Sequence, residues 1–151
     1  MDRDSVGTTS GARSGRRCRR RRGGALVEAI LILPILVMVS FGTVEYGWAF
    51  YVKHAMSAAS YVGARAAITT GATNANVTTA VAASMSAAGF SSSQYTLTTS
   101  PTTVTGLASG TYVTVTITAT WSAVGVTPLP VSMGGLSSTK QLSCSVLMAR
   151  E

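Results

Sequence analysis

The hydrophobic pattern divides the chain into a polar start, one long apolar run and a Thr-rich remainder. Residues 1–15 show no apolar periodicity, which is typical of a disordered segment. Residues 24–44 follow with a single charge, Glu28. A helix of this length measures about 31 Å at 1.5 Å per residue, close to the thickness of a bilayer core. The pattern therefore predicts one transmembrane helix, over residues 24–48.

Helical character is predicted to continue outside the bilayer, over residues 49–68. Small side chains recur there every four residues and so lie along one side of a helix. They are Ala55, Ala59, Gly63 and Ala67. Such a strip allows another backbone to approach closely. Two partners are compatible with it: the chain's own outer domain, or a helix of another subunit in an assembly.

A second, shorter helix is predicted over residues 75–88, because apolar side chains keep helical spacing there and Gly89 provides a stop. After Gly89 the period changes to two, which is the period of a half-buried strand. Three stretches show this alternation: residues 95–99, residues 113–121 and residues 142–148. The last of them places Cys144 toward the core, as a small hydrophobe.

These elements together predict an α+β fold. It has a long N-terminal membrane helix that extends outside, a second short helix and a three-stranded antiparallel sheet. The predicted divisions are a basic cytoplasmic leader (1–23), the transmembrane helix (24–48), its extension (49–68) and an extracytoplasmic α+β domain (69–151).

Most of the charged residues lie at the start of the chain. Lys and Arg number 12 against 5 Asp and Glu, and residues 1–23 alone hold eight Arg against Asp2 and Asp4. Residues 16–22 could bind nucleic acid or form the cytoplasmic flank of a membrane span. The apolar run that follows favours the flank and excludes a nucleic-acid partner. We therefore expect a single-pass protein of the cell membrane, with the N-terminus cytoplasmic and the C-terminus extracytoplasmic.

Residues on both sides of the span have the character of interface anchors. Arg22 ends the basic run, and Tyr46, Trp48 and Tyr51 follow the apolar segment as an aromatic belt would. The partner predicted for them is the lipid bilayer.

The inventory of reactive side chains excludes most enzymes. His54 is the sole His, and both Asp residues lie within the first four positions. A Ser-His-Asp triad, a carboxylate pair or a His/Cys metal site cannot be assembled from these residues in one folded unit. We therefore predict no enzymatic activity, no catalytic residue, no cofactor and no metal.

Glu28 is unusual, because a carboxylate in the apolar end of a membrane helix is costly unless it is paired. It either reaches the headgroups or meets a positive charge on a neighbouring chain. Its setting resembles the processing site of type IV prepilins, in which a basic leader is removed after a Gly and the fifth mature residue is Glu. Cleavage between Gly23 and Gly24 would make Glu28 that fifth residue.

A wider resemblance covers about residues 20–68. The opening of the apolar run, the segment 42–47 (Gly-Thr-Val-Glu-Tyr-Gly) and the small-residue segment 58–67 together resemble the TadE-like pilus-assembly family. Ala29 departs from it, because the family often has an aromatic residue after the Glu. The resemblance implies a minor, pilin-like membrane component of a tight-adherence pilus or secretion system. Its implied partners are other pilin-like or Tad-apparatus subunits and, if the leader is removed, a prepilin peptidase.

Two functions are compatible with this sequence. The first is a structural one, in which a single-span, pilin-like subunit acts by packing against other subunits. The alternative is a membrane-anchored binding module, an adhesin or glycan-binding domain that does not assemble and uses the loop of residues 122–139 for contact.

Overall fold

The computed structural model of the protein describes residues 22–126 and 130–150. It confirms the predicted α+β fold: a long apolar N-terminal helix, a short helix and a three-stranded antiparallel sheet. The principal elements are α1 (Arg22–Ile68), α2 (Asn74–Ala87), β1 (Thr96–Ser100), β2 (Tyr112–Thr120), α3 (Trp121–Val124) and β3 (Gln141–Ala149). Most of the predicted leader, and the side chain of Arg22, lie outside the described residues.

The contacts of the chain form two units, one ending at Ile35 and the other beginning at Leu36. In the first unit, residues 23–35 are helical and exposed, with Pro34 near the end. Among the described residues, one helix is long and apolar enough to cross a membrane, with a mean hydropathy of 2.4 over a window that is entirely unburied. This agrees with a single-pass membrane protein.

Two hydroxyl groups in the second unit bond back to the apolar part of α1. Ser40 Oγ donates to the carbonyl of Leu36, and Thr43 Oγ1 donates to that of Val39, each at 2.8 Å. Both polar side chains are therefore satisfied within the helix, as lipid requires.

The C-terminal part of α1 forms the core of the outer domain. Its buried side chains contact α2 and the inner face of the sheet, in two clusters. They are Val52, Ala55, Met56, Ala59, Ala64 and Ala67. Gly63 marks the closest approach, because a Cβ added there would lie 2.5 Å from Val81 Cγ2 and 3.3 Å from Val115 Cγ1. The strip of small residues thus packs against the chain's own domain. The alternative prediction, that a helix of another subunit packs on this strip, is wrong.

Helix α2 lies across this strip and ends as the sequence predicts. Thr73 is its N-cap, accepting from the backbone N–H of Asn76 at 3.3 Å. Val77, Val81 and Met85 are its buried side chains. Beyond the C-cap, Gly89 has φ +85°, a left-handed conformation that favours glycine.

The sheet is a meander in the order β1-β2-β3, with both pairs antiparallel. In the central strand, alternate residues from Val113 to Ala119 are buried against the helices. The threonines between them face the other side, which confirms the predicted alternation. The edge strands β1 and β3 have only exposed and half-buried residues.

One detail of the strand prediction was wrong. The strand ends at Thr120, and Trp121 begins the short helix α3 instead of continuing the sheet. The Trp121 N–H still donates to Lys140 O at 2.7 Å, and its indole stays fully buried. Cys144 faces the core as predicted and packs against it, although its side chain is half-buried at the edge of the sheet.

The close approach at Gly63 makes a specific prediction. Gly63→Leu should lower the free energy of unfolding by about 1–3 kcal/mol or more, because an added side chain meets the β-branched Val81 and Val115 with no room to move. The measurement is thermal unfolding of the full chain in detergent. The matched control is Ala58→Leu on the exposed side of α1, which should change stability little. Equal stability of the two variants would contradict the tight packing.

Candidate functional site

The predicted processing site lies at the start of the described helix. A Cβ added at Gly23 or at Gly24 would meet no atom within 4 Å. Glu28 lies about one turn further on and is exposed, among apolar side chains that are also exposed. Residues 23–35 of this unit contain no basic side chain that could pair with it. A partner for the Glu28 carboxylate must therefore come from elsewhere, and its pairing role stays a prediction.

The exposed apolar stretch of α1 ends at an abrupt change in burial. Val44 is 58% exposed, whereas Glu45 is fully buried. Glu45 Oε1 accepts a hydrogen bond from the backbone N–H of Leu136 at 2.6 Å, and Oε2 is buried without a hydrogen-bond partner among the described residues. A carboxylate acceptor makes this bond a strong one, and the second oxygen carries a desolvation cost.

Three aromatic side chains of α1 donate hydrogen bonds to backbone carbonyls of later elements. The bonds run from Tyr46 Oη to Gly134 O at 3.3 Å, from Trp48 Nε1 to Val124 O at 2.7 Å and from Tyr51 Oη to Ala88 O at 3.0 Å. Together with the Glu45 bond, they fix the end of α2, the end of α3 and the loop before β3 to one stretch of α1.

The aromatic rings also pack on one another. The Trp48 and Tyr51 ring centroids are 5.2 Å apart, and Phe90, just after α2, lies 6.3 and 6.2 Å from them. Tilted pairs at these distances are favourable. We call Glu45, Tyr46, Trp48, Tyr51 and Phe90 the collar. Sequence reasoning assigned three of these residues to the membrane interface, and that assignment stays a prediction. The structure adds contacts with the outer domain.

A groove runs between α1 and β3. Two cavities lie along it, of about 430 and about 230 Å³. The first is lined by Phe50, Lys53, His54, Ser57 and Cys144, and the second by Tyr61, Arg65, Ile68, Thr69 and Met148. We call these ten residues the α1–β3 groove. Its lining mixes apolar and polar side chains and includes the cationic Lys53 and Arg65.

The thiol in this groove is not activated. Burial raises the pKa of Cys144, and the nearby Lys53 opposes that rise only in part. Its Sγ donates to the Lys53 carbonyl at 3.6 Å. A raised pKa keeps the group as a thiol, the form that is a poor nucleophile and a poor ligand. Within residues 22–126 and 130–150, no three His, Cys, Asp or Glu side chains are grouped so that they could hold a metal.

The comparison with known families finds a match in the part of the chain that carries four of the five collar residues, all but Phe90. Residues 23–65 match the TadE-like protein family. The match covers nearly all of α1, including Gly23, Gly24, Glu28 and Glu45, and confirms the resemblance predicted from the sequence. No curated protein and no solved structure matches the chain significantly.

Sequence reasoning missed the role of Glu45. The signal was present, because Glu45 is the sole acidic residue between Glu28 and Glu151 and lies where the apolar run meets the aromatic residues. The TadE-like resemblance included it within a motif, but nothing in the pattern indicated that it would be buried. Its partner, the Leu136 N–H, is 91 positions away and could be found only from the fold.

The Glu45 contact makes a prediction about stability. Glu45→Ala should lower the free energy of unfolding by about 1–3 kcal/mol, because it leaves the Leu136 N–H without its acceptor. Glu45→Gln keeps an acceptor oxygen and should lose less. Thermal unfolding of the full chain in detergent measures both. Glu28→Ala is the control and should leave the unfolding midpoint of the outer domain unchanged. An unchanged midpoint for Glu45→Ala would contradict a stabilising role.

Proposed function

We propose that the protein is a single-span, pilin-like structural component of a Tad-type pilus or secretion apparatus and that it acts by subunit packing. The TadE-like match over an exposed apolar helix carries the proposal. Other pilin-like or Tad-apparatus subunits are its proposed partners. Neither catalysis nor nucleic acid has a part in this function.

The apolar half of α1 supports this function through its exposure. Side chains from Leu26 to Val44 have no cover in the single chain, and an apolar stretch of this size is stable only in lipid or against other helices. In the membrane the helix stores the subunit. In an assembly the same side chains pack against helices of neighbouring subunits, where Glu28 would supply a polar contact.

The collar gives the subunit a fixed junction. Helix α1 is bonded to the outer domain from Glu45 onward, so the last turns of the membrane segment and the domain move together. A force or displacement applied to the helix is then passed to the domain through hydrogen bonds and aromatic contacts. Such a junction suits a subunit that is taken out of the membrane as a unit.

The proposed orientation places residues 1–22 in the cytoplasm and residues 52–151 outside, because the arginine run precedes the span and no comparable run follows it. Protease added to intact spheroplasts should degrade the outer domain, as detected by loss of the peptide Tyr112–Trp121. Permeabilised spheroplasts are the control for access. Protection of that peptide in intact spheroplasts, with loss after permeabilisation, would refute the orientation.

Gly23 and Glu28 should have separable roles. Gly23→Lys should block leader removal, which the mass of the protein from native membranes reports directly. Glu28→Ala should leave membrane insertion intact or improved, since it removes a charge from the span, yet it should weaken recovery of partner subunits. Glu28→Asp keeps the carboxylate and should retain more of that recovery.

The outcomes also separate the two functions. A Glu that only reaches the headgroups predicts equal partner recovery for Glu28→Ala and wild type. Intact leader in native membranes, together with unchanged recovery, would favour the anchored binding module over the pilin-like subunit.

A further inference from the structure

Strand β3 has a free edge. It pairs with β2 from Tyr112↔Ala149 to Thr120↔Gln141, and no other described strand pairs with it. Just beyond the two ends of this register, Trp121 N donates to Lys140 O and Arg150 N to Thr111 O. By the alternation of an antiparallel ladder, even-numbered residues of β3 therefore bond to β2. The N–H and C=O groups of the odd-numbered residues, Gln141 to Ala149, point to the open side.

The open edge lacks the usual protection. Its nine residues, about 30 Å of strand, include no charged residue and no Pro. The opposite edge, β1, is only five residues long and is followed at once by Pro101. Proteins blunt long edges with charges, Pro, bulges or a covering element, because bare edges pair with other chains. Among the described residues, no hydrogen bond outside the ladder reaches the backbone of residues 143, 145, 147 or 149.

The α1–β3 groove beside this edge has room for side chains. The core-facing residues of β3 are only half-buried, in contrast to those of β2. On the helix side, Phe50 is 72% and Tyr61 is 51% exposed. A strand added to β3 would direct every second side chain toward this groove and would cover the half-buried residues Leu142, Cys144, Val146 and Met148.

The charge around the groove is positive. Lys53 and Arg65 line it, and Lys140 and Arg150 flank β3. Within residues 36–150 the sole acidic side chain is Glu45, which is buried in the collar. Within residues 36–150, the exposed cations Lys53, Arg65 and Lys140 therefore have no exposed carboxylate to balance them, so charge complementarity favours an acidic occupant.

A second copy of the chain does not meet this requirement. The two-fold antiparallel pairing of β3 with itself that overlaps all nine residues is centred on Ser145. It would place Lys140 opposite Arg150 of the other copy, where like charges are destabilising. The exposed part of a second outer domain would also offer no carboxylate to Lys53 or Arg65 within residues 36–150.

We infer that β3 accepts an extended segment of a different subunit, which adds a fourth strand to the sheet. Its backbone bonds to the odd-numbered residues of β3, its alternate side chains fill the α1–β3 groove, and its Asp or Glu residues pair with the cations there. This recognition mode deepens the proposed packing function, on which it rests, by naming the surface and the chemistry of the partner.

Carbodiimide cross-linking of the full chain in native membranes tests the inference. The reagent joins a carboxylate directly to an amine, and Lys53 and Lys140 are the only lysines in the sequence. Cross-links from these lysines to Asp or Glu of another protein are expected. Lys53→Arg and Lys140→Arg keep the charge but remove the amine, and each should lose its own cross-link. Cross-links that join only two copies of the chain, reach only lipid carboxylates, or do not form would overturn the inference.

A backbone variant separates strand addition from simple charge attraction. Ser145→Pro removes an N–H from the open edge while the ladder with β2 keeps its bonds, and it should reduce the cross-link at least tenfold. Ser145→Thr is the matched control and should retain it. An unchanged cross-link in Ser145→Pro would overturn strand addition. If partner recovery still depends on Glu28 in that case, the proposed function stands without it.

Amide hydrogen exchange provides a test that needs no variant. The N–H groups of Ser143, Ser145 and Leu147 should exchange rapidly in the purified protein and at least tenfold more slowly in the assembled state. Those of the even-numbered residues should be protected in both. Equal exchange of the odd-numbered amides in the two states would overturn the inference.

Discussion

The packing of α1 against β2 and α2 is the contact on which the outer domain depends. A sheet of three strands, two of them at edges, cannot bury its apolar face alone, and one short helix covers only part of it. The strip of small residues from Ala55 to Ala67 lets α1 approach closely enough to complete the core, with Gly63 in contact distance of both neighbours. The apolar helix and the core helix are therefore one element, α1, and its C-terminal part completes the core of the outer domain.

The surroundings of α1 change along its length, and Glu45 lies at the point of change. Before it, most side chains are apolar and exposed; after it, one face is buried in protein and the other is exposed and mixes charged residues with Phe50, Tyr61 and Val62. A hydrogen-bonded carboxylate and aromatic rings with polar tips suit this position, because each presents an apolar body to one side and a polar group to the other. The collar bonds the end of α2, the end of α3 and the loop before β3 to one stretch of α1.

Periodicity predicted most of the fold because most of its elements are locally consistent. The alternation of β2 and the spacing of α2 follow from which side chains must be buried, and both appear where the pattern placed them. The exceptions depend on tertiary contacts. Trp121 fits the in-and-out alternation of strand β2, yet it begins α3. Cys144 falls at a core-facing position of β3, yet it is half-buried because it lies at an open edge. The burial of Glu45 is decided by a backbone group 91 positions later, which no local pattern reveals.

The two sides of α1 differ in their surroundings. Its small-residue side is buried inside the domain, which leaves the side that carries Phe50, Lys53, Tyr61 and Arg65 exposed. The same side borders β3, where the sheet ends without a neighbour and the core-facing side chains are least covered. Among the described residues, unpaired backbone groups, incomplete burial and unbalanced positive charge thus coincide along one flank. The inferred acidic strand of another subunit would cover all three together.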